Sequence, residues 1–107
     1  MAQPIAMLSL LARGPDQGHE FPITVAVGTP YEQGSGSWAC PVAVTGLHDR
    51  LSDIVGEDSL QALCLAIQLA GRLLAAFVAR GGHLRSPGDE PTDAFPLEAY
   101  FGALGSP

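Results

Sequence analysis

The chain has 107 residues, 47% hydrophobic and 15% charged, with 11 acidic side chains against 5 basic ones, all arginine, and a formal charge of −6. That length suits one domain able to hide about two thirds of its unfolded surface, and the apolar fraction excludes a disordered chain. Without lysine it lacks the clustered cations that displace counterions from phosphates, which excludes nucleic acid and disfavours anionic lipid, and leaves a basic protein as the partner its charge would steer.

Ile5 to Leu11 predicts a strand rather than a leader peptide, because no Lys or Arg precedes the apolar run and no A-x-A site follows it. Arg13-Gly14-Pro15-Asp16-Gln17-Gly18 ends it with turn formers. His19 to Val27 is a second strand with Phe21, Ile23, Val25 and Val27 on one face, and Pro22 marks a strand start, an edge or a bulge. Gly28 to Ser37 is a Gly- and Pro-rich connection, longer than most hairpin loops. Trp38 to Leu47 reads as a third strand with Trp38, Cys40, Val42 and Val44 toward the core, followed by a polar connection from His48 to Glu57.

Asp58 and Gln61 form a capping-box pair that opens a long helix running to about Ala79, roughly 33 Å at 1.5 Å per residue, with Gly81-Gly82 as its stop. His83-Leu84-Arg85 allows a short fourth strand. Ser86 to Asp93 is a linker, and Ala94 to Leu104 carries Phe95, Leu97, Tyr100, Phe101 and Leu104, with a short helix opened by Pro96. No repeat or second domain boundary occurs. The expectation is one domain over residues 1–107, with its core at about 5–85 and a linker and tail at 86–107.

Leu60 to Ala79 approaches membrane-spanning length, but Arg72 near its centre favours a buried soluble helix. At about 100° per residue, Gln61, Gln68 and Arg72 cluster in a narrow wedge, and apolar or small residues fill an arc of roughly 220°. A helix on one sheet needs a stripe of only about 100° or somewhat more. The excess must be covered by the aromatic C-terminal segment, by a second copy across a two-fold interface or by a dedicated partner. The second copy is the favoured reading. Ala62, Ala66, Leu69, Leu73 and Phe77 are its candidate interface residues.

Cys40 and Cys64 are too few for a disulfide scaffold, so a reduced cytoplasm is the default. Both are expected to be buried small hydrophobes, with contact between them left open. His19, His48 and His83 lie on separate segments without metal-ligand spacing, so no metal or cofactor is expected. Asp89-Glu90-Pro91-Thr92-Asp93 lacks the Gly and Glu positions of a calcium loop, and Gly34-Ser35-Gly36-Ser37 lacks the Lys and following helix of a phosphate cradle. Trp38, beside that loop, is a core residue first and a ligand-contact candidate second.

Trp38-x-Cys40-Pro41, Gly56-x-Asp58-Ser59-x-Gln61-Ala62-Leu63 and Gly81-Gly82-x-Leu84 together resemble a family of small, functionally uncharacterised bacterial proteins built from a few antiparallel strands and one long helix. The resemblance covers about Ile5 to Leu84. It implies a bacterial cytoplasmic protein and carries no activity.

These readings give an α+β fold: a three- or four-stranded antiparallel sheet in the order β-β-β-α, one long helix on one face and a short C-terminal tail. The leading functional expectation is a non-enzymatic, acidic, homodimeric interaction module, with an immunity- or antitoxin-like factor as one form. The alternative is a small-molecule-binding or catalytic domain using Gly28 to Ser37 and Trp38.

Overall fold

The computed structural model describes residues 1, 3–16 and 18–102, so Gln17 of the first turn and Leu104 of the tail lie outside the described residues. The fold is α+β. Strands β1 (Ala6–Arg13), β2 (Phe21–Val27), β5 (Val42–Thr45) and β7 (His83–Arg85) form an antiparallel sheet in the order β5-β2-β1-β7. A second antiparallel sheet, β3-β4-β6, is made of Tyr31–Glu32, Trp38–Cys40 and Ile54–Gly56. Helix α1 (Ser59–Ala79) packs mainly on β4, β5 and β6, and α2 (Leu97–Phe101) lies against α1.

Alternation by two puts Leu10 and Ala12 of β1, Ile23, Val25 and Val27 of β2, Val42 and Val44 of β5 and Leu84 of β7 into the core. Burying a large aliphatic side chain contributes about 1.5–3 kcal/mol. Ring edges also meet, with Phe21 and Phe77 at 6.1 Å and 84°. Pro22 sits at the start of β2 opposite Leu11, outside the Thr24–Val27 stretch paired with β5, so its missing N–H removes no bond on that side.

The run from Trp38 to Leu47, expected as one strand, is two strands in two sheets. Pro41 separates them because it lacks an N–H and fixes φ, while its carbonyl accepts from Gly28 N–H at 2.9 Å. The expected polar connection after His48 contains β6, whose partners are Trp38, Ala39 and Cys40. The Gly28–Ser37 connection contains β3, joined to β4 by a turn in which Gln33 N–H donates to Ser37 O at 2.8 Å. These short strands carry few alternating apolar residues, so their periodicity is weak in the sequence.

At the start of α1, Asp58 Oδ1 accepts from Gln61 N–H at 2.8 Å, and Gln61 Oε1 accepts from Glu57 N–H at 2.7 Å. Caps of this kind contribute about 1 kcal/mol. At the other end Gly82 N–H donates to Phe77 O at 3.0 Å and Gly81 N–H to Val78 O at 2.9 Å, with Gly81 at φ 101°. This is the paired closure for which a glycine in left-handed backbone is favoured.

Glu20, just before β2, accepts two hydrogen bonds from Arg85 of β7, at 2.7 and 2.9 Å. The Arg85 guanidinium holds the Glu20 carboxyl below its ordinary value of 4.5, chiefly through those bonds. The stabilisation from a lowered carboxylate is present above the ordinary value and is lost as pH falls through the lowered one. Thermal melts should therefore fall more steeply with acidification below pH 4.5 in the wild type than in Glu20→Gln. Equal slopes would show that the pair does not couple to folding.

Candidate functional site

The site follows from where α1 sits. Ala62, Ala66, Ala70, Leu74 and Phe77 are its buried stripe, and the three alanines are 0% exposed. Alanines four apart let the helix approach the sheets closely. Ala62, Ala66 and Phe77, put forward for an intermolecular face, thus belong to the chain's own core. Leu69 and Leu73 are half-buried beside it.

The surplus apolar arc divides in two. Along the second half of α1 the C-terminal segment returns, with Pro96, Leu97 and Ala99 lining an open cleft together with Ala75, Val78 and Ala79, and Val78 stays 41% exposed. Phe95 anchors that return: it is buried, its N–H donates to Leu84 O at 2.8 Å, and its ring lies 4.5 Å from that of Tyr100. Over the first half, Leu60 is 68% and Ile67 36% exposed.

Between that half of α1 and β1 lies an open apolar cleft of about 300 Å³, lined by Ile5, Met7 and Leu8 on one wall, Leu63 and Ile67 on the other, and Tyr100 and Phe101 of α2 at one end. Its lining contains no charged side chain. Next to it, β1 has β2 on one side, but β7 pairs only with Leu11, Ala12 and Arg13 on the other. Among the described residues, no strand pairs with that side of Ala6–Leu10.

The other strand borders differ in charge or cover. Beside β5 runs a segment with His48, Asp49, Arg50 and Asp53. β3 ends in Glu32, Glu57 and Asp58 follow β6, and Phe95 bonds the outer side of β7. Lysine, proline and charge are the usual guards of an edge strand, and Ala6–Leu10 contains none of them.

The features that could carry chemistry are dispersed. His19 and His48 are exposed on separate segments, His83 is half-buried in β7 with Nε2 buried and unbonded, and no group of three His, Cys, Asp or Glu converges among the described residues. Cys40 is buried, its thiol donates to Gly28 O at 3.5 Å, and burial pushes its pKa up, away from a reactive thiolate. Cys64 is exposed on α1, contrary to the expectation of a second buried thiol, and both cysteines are free.

Ser37 Oγ donates to Gln33 Oε1 at 2.7 Å and lies 3.0 Å from Ser35 Oγ, so these hydroxyls bond within the β3–β4 turn. Tyr31 donates to Asp53 Oδ2 at 2.5 Å, and that bond raises the phenol's pKa. Trp38 is half-buried, packed on the core from β4.

Sequence reasoning missed Ile5, Met7, Leu8, Leu63, Ile67, Tyr100 and Phe101 as members of one surface. A readable sign was present: residues 1–12 and 59–71 contain no charged side chain. In the fold these two runs form the facing walls of the cleft.

Residues 11–97 match the model of a domain of unknown function, DUF6968. No curated protein and no solved structure matches the chain.

Proposed function

The chain belongs to the DUF6968 family, and we propose that it is a non-enzymatic protein-interaction module that works as a homodimer. The supporting observation is the uncharged cleft beside the unpaired stretch of β1, with Ile5 54%, Met7 62% and Tyr100 60% exposed along it. Large contiguous apolar patches on soluble proteins mark interaction surfaces. A chain of net charge −6 meets its own copy with little repulsion where its surface carries no charge.

The acidic remainder of the surface suits a basic protein partner, in the manner of an immunity or antitoxin-like factor, and a bacterial cytoplasm is the setting that goes with this reading. α1 is long and apolar enough to cross a membrane, with 33% of its most apolar stretch buried; its packing against both sheets and the tail supports the soluble reading.

Ile67→Glu tests the dimer. The site is 36% exposed, so the monomer fold should tolerate the change, whereas a carboxylate facing its own copy costs several kcal/mol at an interface. Sedimentation at micromolar concentration should give twice the chain mass for the wild type and a dissociation constant raised at least about 100-fold for the variant, since 1.4 kcal/mol is tenfold. A wild type that sediments as a single chain overturns the proposal.

A further inference from the structure

Resting on the homodimer reading, the geometry points to the way the two copies join: β1 of one pairs antiparallel with β1 of the other about a two-fold axis at Met7, merging both four-stranded sheets into one continuous sheet. A sheet edge is completed by another extended strand. In a two-fold contact each copy presents the same patch to the other, and β1 supplies an uncharged strand of the length left open.

The charged or covered borders of β3, β5, β6 and β7 leave Ala6–Leu10 as the edge that a second acidic chain meets without repulsion. The side chains then fall in place by parity. Antiparallel partners point to the same face, so Leu8 and Leu10 of both copies turn toward the helical side. There Ile67 and Leu63 of one copy face their counterparts across the joint, and the two clefts close into one apolar layer.

The position of the axis follows from β7. Arg85 stands opposite Leu11 and blocks further strand addition there. An axis at Leu8 would place Ile5 of each copy opposite Leu11 of the other, into Arg85. With the axis at Met7, Ile5 meets Ser9 and the incoming strand ends at Leu10, free of β7. Met7 then lies opposite its own counterpart, with Cβ atoms about 4.5–5.5 Å apart.

The test uses the full chain with Cys64→Ser, which leaves the buried Cys40 as the native thiol. Met7 and Ser9 alternate with Leu8 and Leu10 along β1 and both are exposed, so Met7→Cys and Ser9→Cys leave the core intact. Under mild oxidation Met7→Cys should form a disulfide-linked dimer in most of the chains. Ser9→Cys should form at least tenfold less, because it stands opposite Ile5 and its counterpart lies four residues further along the partner strand, about 13 Å at roughly 3.3 Å per residue and beyond disulfide reach. Hydrogen exchange of the Met7 and Ser9 amides, which alternate with those bonded to β2, should slow as the wild type is concentrated.

If the wild type sediments as a dimer, Ile67→Glu dissociates it, and Met7→Cys still fails to cross-link or does so no better than Ser9→Cys, this pairing is overturned while the homodimer stands. A monomeric wild type with freely exchanging Met7 and Ser9 amides overturns both, and leaves the edge to a strand from a different protein.

Discussion

Leu74→Ala is expected to lower the free energy of unfolding by about 2–5 kcal/mol, the range for truncating a fully buried leucine. Leu74 is 0% exposed and is among the largest side chains wholly inside the core. Its place in the buried stripe of α1 puts it against the strands, where backbone on both sides limits collapse around the lost methyls. A domain of this size has only about 5–15 kcal/mol in all, so the variant should approach the limit of folding at 37 °C. Urea unfolding at fixed chain concentration, in the Ile67→Glu background to remove any contribution from association, would read it. A change below 1 kcal/mol would mean that α1 is held by something other than this stripe.

Gly56→Val is expected to be at least as damaging, for a different reason. Gly56 ends β6 where α1 begins, and a Cβ there would lie 2.5 Å from the Ala62 nitrogen and 2.9 Å from its Cα. Those are backbone atoms, so relief requires α1 to lift from the small sheet rather than one side chain to turn. Ordinary overpacking costs about 1–3 kcal/mol, and a clash with helix backbone should exceed it. The measurement is the fraction of folded soluble chain by circular dichroism, with Gly34→Ala as the control because no heavy atom beyond its own chain neighbours lies within 4 Å of its Cβ position. Near-wild-type stability of Gly56→Val would require a different seat for the helix than the one seen against β6.

Both effects trace to the close approach that Ala62, Ala66 and Ala70 permit, and here sequence and structure part company. The spacing of the small residues was legible, and so was an apolar arc too wide for a single sheet. Which part of the arc faced the strands was not, since alanine four apart suits a strand contact inside the chain as well as a contact between chains. The second sheet was equally hard to see. Pro41 and Gly56 are single-residue signals, and the two- and three-residue strands around them acquire their pairing only from partners distant in sequence.

Local chemistry was enough to determine the α+β class, the first two strands to within two residues at each end (Ile5–Leu11 and His19–Val27 expected, Ala6–Arg13 and Phe21–Val27 found), and both ends of α1. Alternation, the Asp58–Gln61 cap and the Gly81-Gly82 stop each act within a few residues. Only the tertiary structure decided that the pairing of β7 stops at Leu11 and leaves that side of Ala6–Leu10 without a strand among the described residues, that the tail from Phe95 returns along α1 while Leu60, Ile67 and Val78 stay exposed, and that two charge-free runs far apart in the chain face one another. Such features depend on long-range closure, where the position of each element is set by what it packs against, and no window of neighbouring residues contains that information.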